Sequence, residues 1–258
     1  MTPGYDNDSI FVVSYAHGAS GSFLACLLER VFYDTLPFRP YETDENNCAH
    51  LTHQFANYKE SESRTPGVDR FDLLQLTNPL APAFLPVHSF RPKQYRSRFP
   101  KCKIATIIHR EEDALELSLN GLFKHTLDKN RILKRPDLHG RILPAFWFER
   151  HTCPPLVEDI KNTHALEFTS EQKRRLALMF KPDTLVPGLH LLKDDPAEYG
   201  ENIWFVNYRD IQDNPAKVIA TLEDMTGKKA NESAWTAINY YANKQKEFVS
   251  RIKKELDL

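Results

Sequence analysis

The chain opens with an apolar run, a turn of small residues and then apolar positions at helical spacing. Residues 10–13 (IFVV) are β-branched or aromatic, and residues 17–22 (HGASGS) are small or polar. The helical positions are Leu24, Leu27, Leu28 and Val31. This pattern predicts a buried strand, a tight loop and a helix start. Backbone N–H groups at a helix start have no intrahelical partner and lie at the positive end of the dipole, so the loop is suited to bind phosphate-like anions.

Strand and helix patterns recur further along the chain. Residues 84–90 form a short apolar stretch, and residues 104–109 (IATIIH) form a β-branched run typical of a central parallel strand covered on both faces. Residues 111–128 follow with leucines at helical spacing, and residues 203–208 predict a last strand. The alternation predicts an α/β fold with a central, mostly parallel sheet flanked by helices.

Two helices are predicted after the last strand. Asp213-Asn214-Pro215 places a proline in the first turn of a helix whose apolar face ends before Gly227. The final helix begins at about Glu232, and its periodic apolar residues are most simply explained by packing. These residues are Trp235, Ile238, Tyr241, Phe248 and Ile252.

The regions between these elements are less regular. The polar residues 37–67 contain three prolines and predict a surface excursion of the kind that shapes a substrate mouth. The middle of the chain, about residues 129–200, is predicted to be helical over 142–151 and 170–180. No chemistry is assigned to this region.

Length and composition favour one α/β domain spanning residues 1–258. Charge is nearly balanced, with 34 basic and 35 acidic residues, which gives no support to bulk electrostatic binding of nucleic acid. The first residues do not resemble a signal sequence, and no apolar run approaches the roughly 20 residues of a membrane helix. The sequence therefore predicts a soluble, cytoplasmic protein with no nucleic-acid partner and no membrane span.

No metal site is expected. Cys26, Cys48, Cys102 and Cys153 are far apart and are interpreted as free thiols in a reducing compartment. His50 and His53 lie three residues apart without a further ligand at metal spacing, so they are interpreted as surface residues.

The opening loop is not a standard nucleotide P-loop. That motif requires GxxxxGK followed by Ser or Thr, and no lysine lies between Met1 and Tyr58, which disfavours an ATP or GTP site. A strand followed by GASGS is, by itself, equally compatible with an ordinary tight turn.

Four short motifs occur in a characteristic order. They are the strand–loop–helix with Ala19-Ser20-Gly21-Ser22, the strand-end His88 in PVHSFRP, Arg110 with Ser118 eight residues on, and Tyr208-Arg209-Asp210 before a helix. This combination resembles the sulfotransferases, which use 3′-phosphoadenosine 5′-phosphosulfate. The motifs are similar to the KSGT-type first loop, the THLP-like segment with its catalytic histidine, the Arg–Ser pair for the 3′-phosphate, and the late YED-type stretch of that family.

The resemblance implies a role for each motif. The loop of Gly18, Ala19, Ser20, Gly21, Ser22 and Phe23 would cradle the 5′-phosphosulfate through its N–H groups and the Ser22 hydroxyl. Arg110 and Ser118 would hold the 3′-phosphate, and Tyr208 would stack on adenine. An imidazole titrates near neutrality, so His88 is the candidate general base for the acceptor.

Each of these residues also has a purely structural interpretation, which stays open at this point. The structural alternative for Arg110 is a surface charge at a strand end, and that for Ser118 is a solvated helix position. His88 is equally an ordinary strand-end histidine among ten in the chain. Without the resemblance, Tyr208 is interpreted as a core residue.

The sequence departs from the family pattern at several positions. Ala19 stands where the family has a basic residue, and His17, Lys93 or Arg91 are the candidate substitutes. Glu111 and Glu112 adjoin the predicted 3′-phosphate site, where they would oppose an anion unless they point away. No RKGxxGxW-like segment follows Tyr208. The candidate replacements on the last helix are Lys244, Lys246 and Arg251.

The leading hypothesis is a sulfotransferase that moves a sulfuryl group from this nucleotide cosubstrate to a hydroxyl or amine acceptor, with His88 as the base and His17 or Ser22 assisting. A catalytically silent relative that binds the nucleotide or a partner is the alternative, motivated by Ala19. A kinase-like phosphotransferase is a third hypothesis, disfavoured by the missing lysine.

Overall fold

The structure is a computed structural model that describes residues 10–16, 18–32, 83–87, 90, 92–127, 129–134, 164–179 and 199–258. Several sequence predictions fall outside these residues. They are the excursion at 37–67, the helix over 142–151, and His17, His50, His53, His88 and Arg91.

The apolar runs of the sequence form a parallel sheet of four strands. These are β1 (Ile10–Ser14), β2 (Ala83–Val87), β3 (Lys103–Ile108) and β4 (Ile203–Asn207). The strand order is β2-β1-β3-β4 and every pairing is parallel. Val12, at the centre of β1, pairs with Leu85 on one side and Ile104 on the other. The prediction of an α/β fold with parallel strands is therefore confirmed.

The strand order places a topological switch beside β1. β2 pairs with one edge of β1, whereas β3, the strand after it in the chain, pairs with the opposite edge. In open parallel sheets, ligands bind outside the carboxyl ends of the strands where the order reverses in this way. The segment after β1 begins at Tyr15, and the segment after β3 begins at His109.

Most of the described residues outside the sheet are helical. They are α1 (Gly21–Phe32), α2 (Pro92–Arg98), α3 (Ala114–Ser118), α4 (Lys129–Lys134), α5 (Ser170–Met179), α6 (Asp210–Asp213), α7 (Pro215–Thr226) and α8 (Glu232–Leu256). A 3₁₀ helix (Glu111–Asp113) precedes α3, a π-helix (Leu119–Leu127) follows it, and a second 3₁₀ helix (Ala165–Glu167) precedes α5. None of the described helices is long and apolar enough to cross a membrane.

The chain divides into two compact units, each assembled from separate segments. The first contains the sheet, α1, α2, α6, α7 and the part of α8 up to Asn243. The second contains residues 16–19, the segment from His109 through α5, and the last part of α8 from Lys244. Sequence patterning does not mark this division, because neither unit is a continuous stretch of chain.

One hydrophobic cluster of the first unit lies on the face of the sheet that α2 covers. Its buried residues are Ile10, Val12, Val87, Tyr95, Phe99, Cys102, Ile104 and Ile203. The sequence marks the α2 region only as a basic segment, yet Tyr95 and Phe99 are both almost fully buried. Burial raises the pKa of the Cys102 thiol to about 11, the Arg96 charge opposing part of the shift, so this cysteine is an unreactive core residue.

The sheet contains a buried hydroxyl, that of Thr106. Thr106 in β3 is fully buried, and its Oγ1 has no hydrogen-bond partner among the described residues. Thr106→Val keeps the β-branched shape and removes the desolvated hydroxyl, so we expect it to raise the free energy of unfolding by about 0.5–1.5 kcal/mol in urea titrations. Thr221→Val on the surface of α7 is the matched control, and it should change stability by less than about 0.5 kcal/mol. Destabilisation by Thr106→Val would show that the hydroxyl is hydrogen-bonded.

The core of the second unit is a helical cluster. Its buried residues are Leu119, Phe123, Leu127, Ala165, Phe168, Leu176, Ala177, Val249, Ile252 and Leu256. The helix predicted over residues 111–128 is present to Leu127, but it consists of 3₁₀, α and π turns in succession. Leucines at three- and four-residue spacing indicate a buried helical face, and they do not fix the hydrogen-bond register of the turns.

Candidate anion-binding loop

The loop between β1 and α1 has two residues in the left-handed region. Gly18 has φ of +83° and Ser20 has φ of +63°. Ala19 N–H donates to the Ala16 carbonyl at 3.0 Å, and the first helical bond of α1 runs from Leu24 N–H to the Ser20 carbonyl at 3.0 Å. The N–H groups of residues 21–23 therefore precede the helical ladder. A left-handed residue followed by a helical one directs successive N–H groups toward one point, which is an anion-binding geometry.

Gly18 lies directly against the helical segment that follows β3. A β-carbon built at Gly18 would overlap the Leu117 carbonyl oxygen and lie 2.9 Å from the Gly121 nitrogen. Both neighbours are backbone atoms, which cannot rotate away as a side chain can. Within the second unit, only glycine therefore allows the loop this close approach.

The Tyr15 side chain leaves no space for a β-carbon at Gly21. A β-carbon at this position would overlap the ring of Tyr15, which is itself 8% exposed. The Tyr15 hydroxyl lies 3.2 Å from Ser22 Oγ. Tyr15 thus contacts two successive residues of the first turn of α1.

Tyr241 from α8 contacts Ser20, just before this turn, and Phe23 within it. Its hydroxyl donates to Ser20 Oγ at 2.8 Å, and its ring stacks on Phe23 with centroids 3.7 Å apart and planes at 4°. Sequence patterning assigned Tyr241 to packing alone, because helical periodicity reports burial and not a polar contact across 221 residues. Among the other α8 residues with that assignment, Ile238 and Ile252 are buried, whereas Trp235 is 36% exposed.

Exposure alternates along the loop. Gly18, Ser20 and Ser22 are partly exposed, whereas Ala19, Gly21 and Phe23 are buried. Ala19 is 0% exposed. Among the described loop residues, the accessible polar groups are therefore neutral backbone and hydroxyl groups, and Ala19 faces the interior.

Arg110 follows β3 with an exposed guanidinium. Its backbone N–H donates to Asp113 Oδ2 at 2.9 Å, which fixes the start of the 3₁₀ helix. Its Nη1 lies 3.4 Å from Glu112 Oε1, with side chains 70% and 66% exposed. An exposed ion pair of this kind is weak, so Glu112 competes only modestly with an anionic ligand for Arg110.

Ser118 lies inside the second unit. It is fully buried and its Oγ donates to the Ala177 carbonyl at 2.8 Å. The structural alternative of a solvated helix position is therefore wrong. Its 3′-phosphate role stays a prediction, and in that role the hydroxyl would have to leave Ala177.

Tyr208 is a buried residue at the end of β4. Its backbone N–H donates to the Ile108 carbonyl at 2.8 Å, and its hydroxyl accepts from Gln212 Nε2 at 3.3 Å. Stacking on adenine stays a prediction, and it requires that one ring face be uncovered, since Tyr208 is 0% exposed.

The candidate substitute cations differ in their surroundings. Lys93 is exposed on α2, Lys244 pairs with Glu247 at 2.7 Å, and Arg251 lies 3.7 Å from Glu255. Among the described residues, no group of three or more His, Cys, Asp or Glu side chains is arranged to hold a metal ion.

The described loop offers neutral donors to an anion. This arrangement can bind and orient a phosphate-like group, and a general base would have to come from elsewhere in the chain. Comparisons with known proteins add no family to this description, because no protein-family model and no curated protein matches the chain.

Proposed function

We propose that the protein is a sulfotransferase that uses 3′-phosphoadenosine 5′-phosphosulfate. The observation that carries the proposal is the loop of residues 18–23, in which the left-handed Ser20 is followed by the N–H groups of residues 21–23, ahead of the first helical hydrogen bond of α1. It follows a central strand at a topological switch, where open α/β sheets bind ligands. The resemblance of four ordered sequence motifs supplies the choice of anion.

The chemistry assigns one task to each group. The acceptor hydroxyl or amine attacks sulfur, an O–S or N–S bond forms, and the bond from sulfur to the 5′-phosphate oxygen breaks. The acceptor proton passes to His88, and 3′-phosphoadenosine 5′-phosphate (PAP) leaves with the negative charge. Because Ala19 is buried, the loop stabilises that charge with N–H groups and the hydroxyls of Ser20 and Ser22.

Calorimetric titration with PAP tests the proposal. The wild type should bind PAP, and Arg110→Ala should weaken binding about 10- to 100-fold, as expected for loss of a charge-assisted hydrogen bond. Arg175→Ala removes the same charge from the exposed surface of α5 and should leave affinity within about twofold. Absence of PAP binding by the wild type, or equal binding by Arg110→Ala, would contradict the proposal.

A catalytically silent nucleotide-binding protein is the second candidate, and the burial of Ala19 favours it. A lysine at this position would have to leave the interior to reach a ligand, and the described loop residues 18–23 include no cationic side chain. Tight PAP binding with no transfer of radiolabelled sulfate to a panel of hydroxyl and amine acceptors would select this candidate. Transfer that is lost in His88→Ala would select the enzyme.

A further inference from the structure

The hydroxyl of Ser20 is oriented by a residue at the other end of the chain. Tyr241 donates its proton to Ser20 Oγ at 2.8 Å, so one acceptor site of Ser20 is occupied. A hydroxyl that accepts one hydrogen bond keeps its own proton for a different acceptor. Ser20 is partly exposed, and therefore this proton is available at the surface of the loop.

The ring of Tyr241 contacts a second residue of the loop, Phe23. It is 4% exposed and stacks on Phe23, which is also 4% exposed. The three residues between Ser20 and Leu24 carry the N–H groups that precede the helical ladder of α1. Tyr241 thus holds both ends of this short donor segment, and it holds Ser20 in a left-handed conformation that serine rarely adopts.

We infer that Tyr241 is a positioning residue for the proposed anion site, acting through Ser20. Its hydroxyl directs the Ser20 O–H toward the 5′-phosphate group of the nucleotide, so that a chain of two neutral hydroxyls provides a donor near the position where a cation is missing. Linked hydrogen bonds of this kind polarise one another, which strengthens the terminal donor. The inference rests on the proposed function.

Tyr241→Phe is the main test, because it keeps the ring on Phe23 and removes only the hydroxyl. We expect its affinity for PAP to fall about fivefold, within the range for loss of one hydrogen bond. Tyr240→Phe, the same change at the next position of α8, is the matched control and should bind like the wild type. Thermal unfolding of both variants verifies that they are folded.

A double-mutant cycle separates positioning from general packing. Ser20→Gly removes the hydroxyl and suits the positive φ, so it is compatible with the loop conformation. If Tyr241 acts through Ser20, Tyr241→Phe should cause no further loss of PAP affinity in the Ser20→Gly background. Equal losses in both backgrounds, or no loss in Tyr241→Phe while the wild type binds, would overturn this inference alone. Failure of the wild type to bind PAP would overturn it together with the proposed function.

Discussion

Gly18→Ala is expected to lower the free energy of unfolding by about 2–5 kcal/mol. A left-handed backbone costs a non-glycine residue about 1–2 kcal/mol. The added methyl group would also overlap the Leu117 carbonyl oxygen, and overpacking against fixed atoms costs about 1–3 kcal/mol more. Urea unfolding followed by circular dichroism measures the change.

Gly227→Ala provides the matched control for this substitution. Gly227 ends α7 with φ of +70°, and no described atom lies within 4 Å of a β-carbon built there. It should therefore show the backbone cost alone, about 1–2 kcal/mol. If the two alanine variants were equally stable, the close approach of the loop to the helical segment after β3 would be refuted.

Asn120→Ala is expected to cost about 2–4 kcal/mol. Asn120 lies on the π-helix, where it is 1% exposed, and its side-chain oxygen accepts a hydrogen bond from Gln245 Nε2. Gln245 is 2% exposed, so the substitution takes a hydrogen-bond acceptor away from a side-chain amide that is shielded from water. The missing side chain adds a cavity. The measurement is again equilibrium unfolding in urea.

Substitutions of similar volume separate the polar term from the cavity. Asn120→Leu and Gln245→Met should each cost about 1–3 kcal/mol, because each leaves a buried polar partner behind. The double variant should be more stable than the sum of the single losses by at least about 1 kcal/mol, since it removes both polar groups together. Additive losses would mean that the amide pair does not couple in solution.

These two predictions concern the part of the second unit that contacts Gly18. Gly18 touches the backbone of the segment on which Asn120 and Gly121 lie, and the Asn120–Gln245 pair holds that segment in its helical path. Both substitutions therefore perturb the surroundings of Gly18 within the second unit. Arg110→Ala removes an exposed side chain and should leave global stability nearly unchanged, whereas Tyr241→Phe should lower the free energy of unfolding by about 0.5–1.5 kcal/mol through its lost hydrogen bond.

Local sequence determined the strands that have continuous apolar runs and the helix that has clear start and end residues. The runs at residues 10–13, 104–109 and 203–208 predict β1, β3 and β4, because continuous β-branched and aromatic residues are stable only in buried strands. Proline at the first turn and Gly227 at the end delimit α7 for similarly local reasons. The boundaries agree with the structure to within one or two residues.

The roles of individual side chains depended on distant partners. Ser118 follows Arg110 at the spacing of a phosphate-binding pair, yet its hydroxyl is bonded to Ala177 in another helix. Tyr241 has the spacing of a packing residue, yet it donates to Ser20. No local pattern encodes such contacts, because each is created only when two remote segments of chain meet.

The sequence by itself determined the parallel α/β sheet and the small-residue turn before α1, since strand burial and turn chemistry are properties of neighbouring residues. The tertiary structure alone decided that Ala19 faces the interior, that Gly18 and Gly21 are needed for clearance, and that two tyrosines contact the donor residues. These features arise from close packing, in which a side chain's role is set by the atoms that surround it.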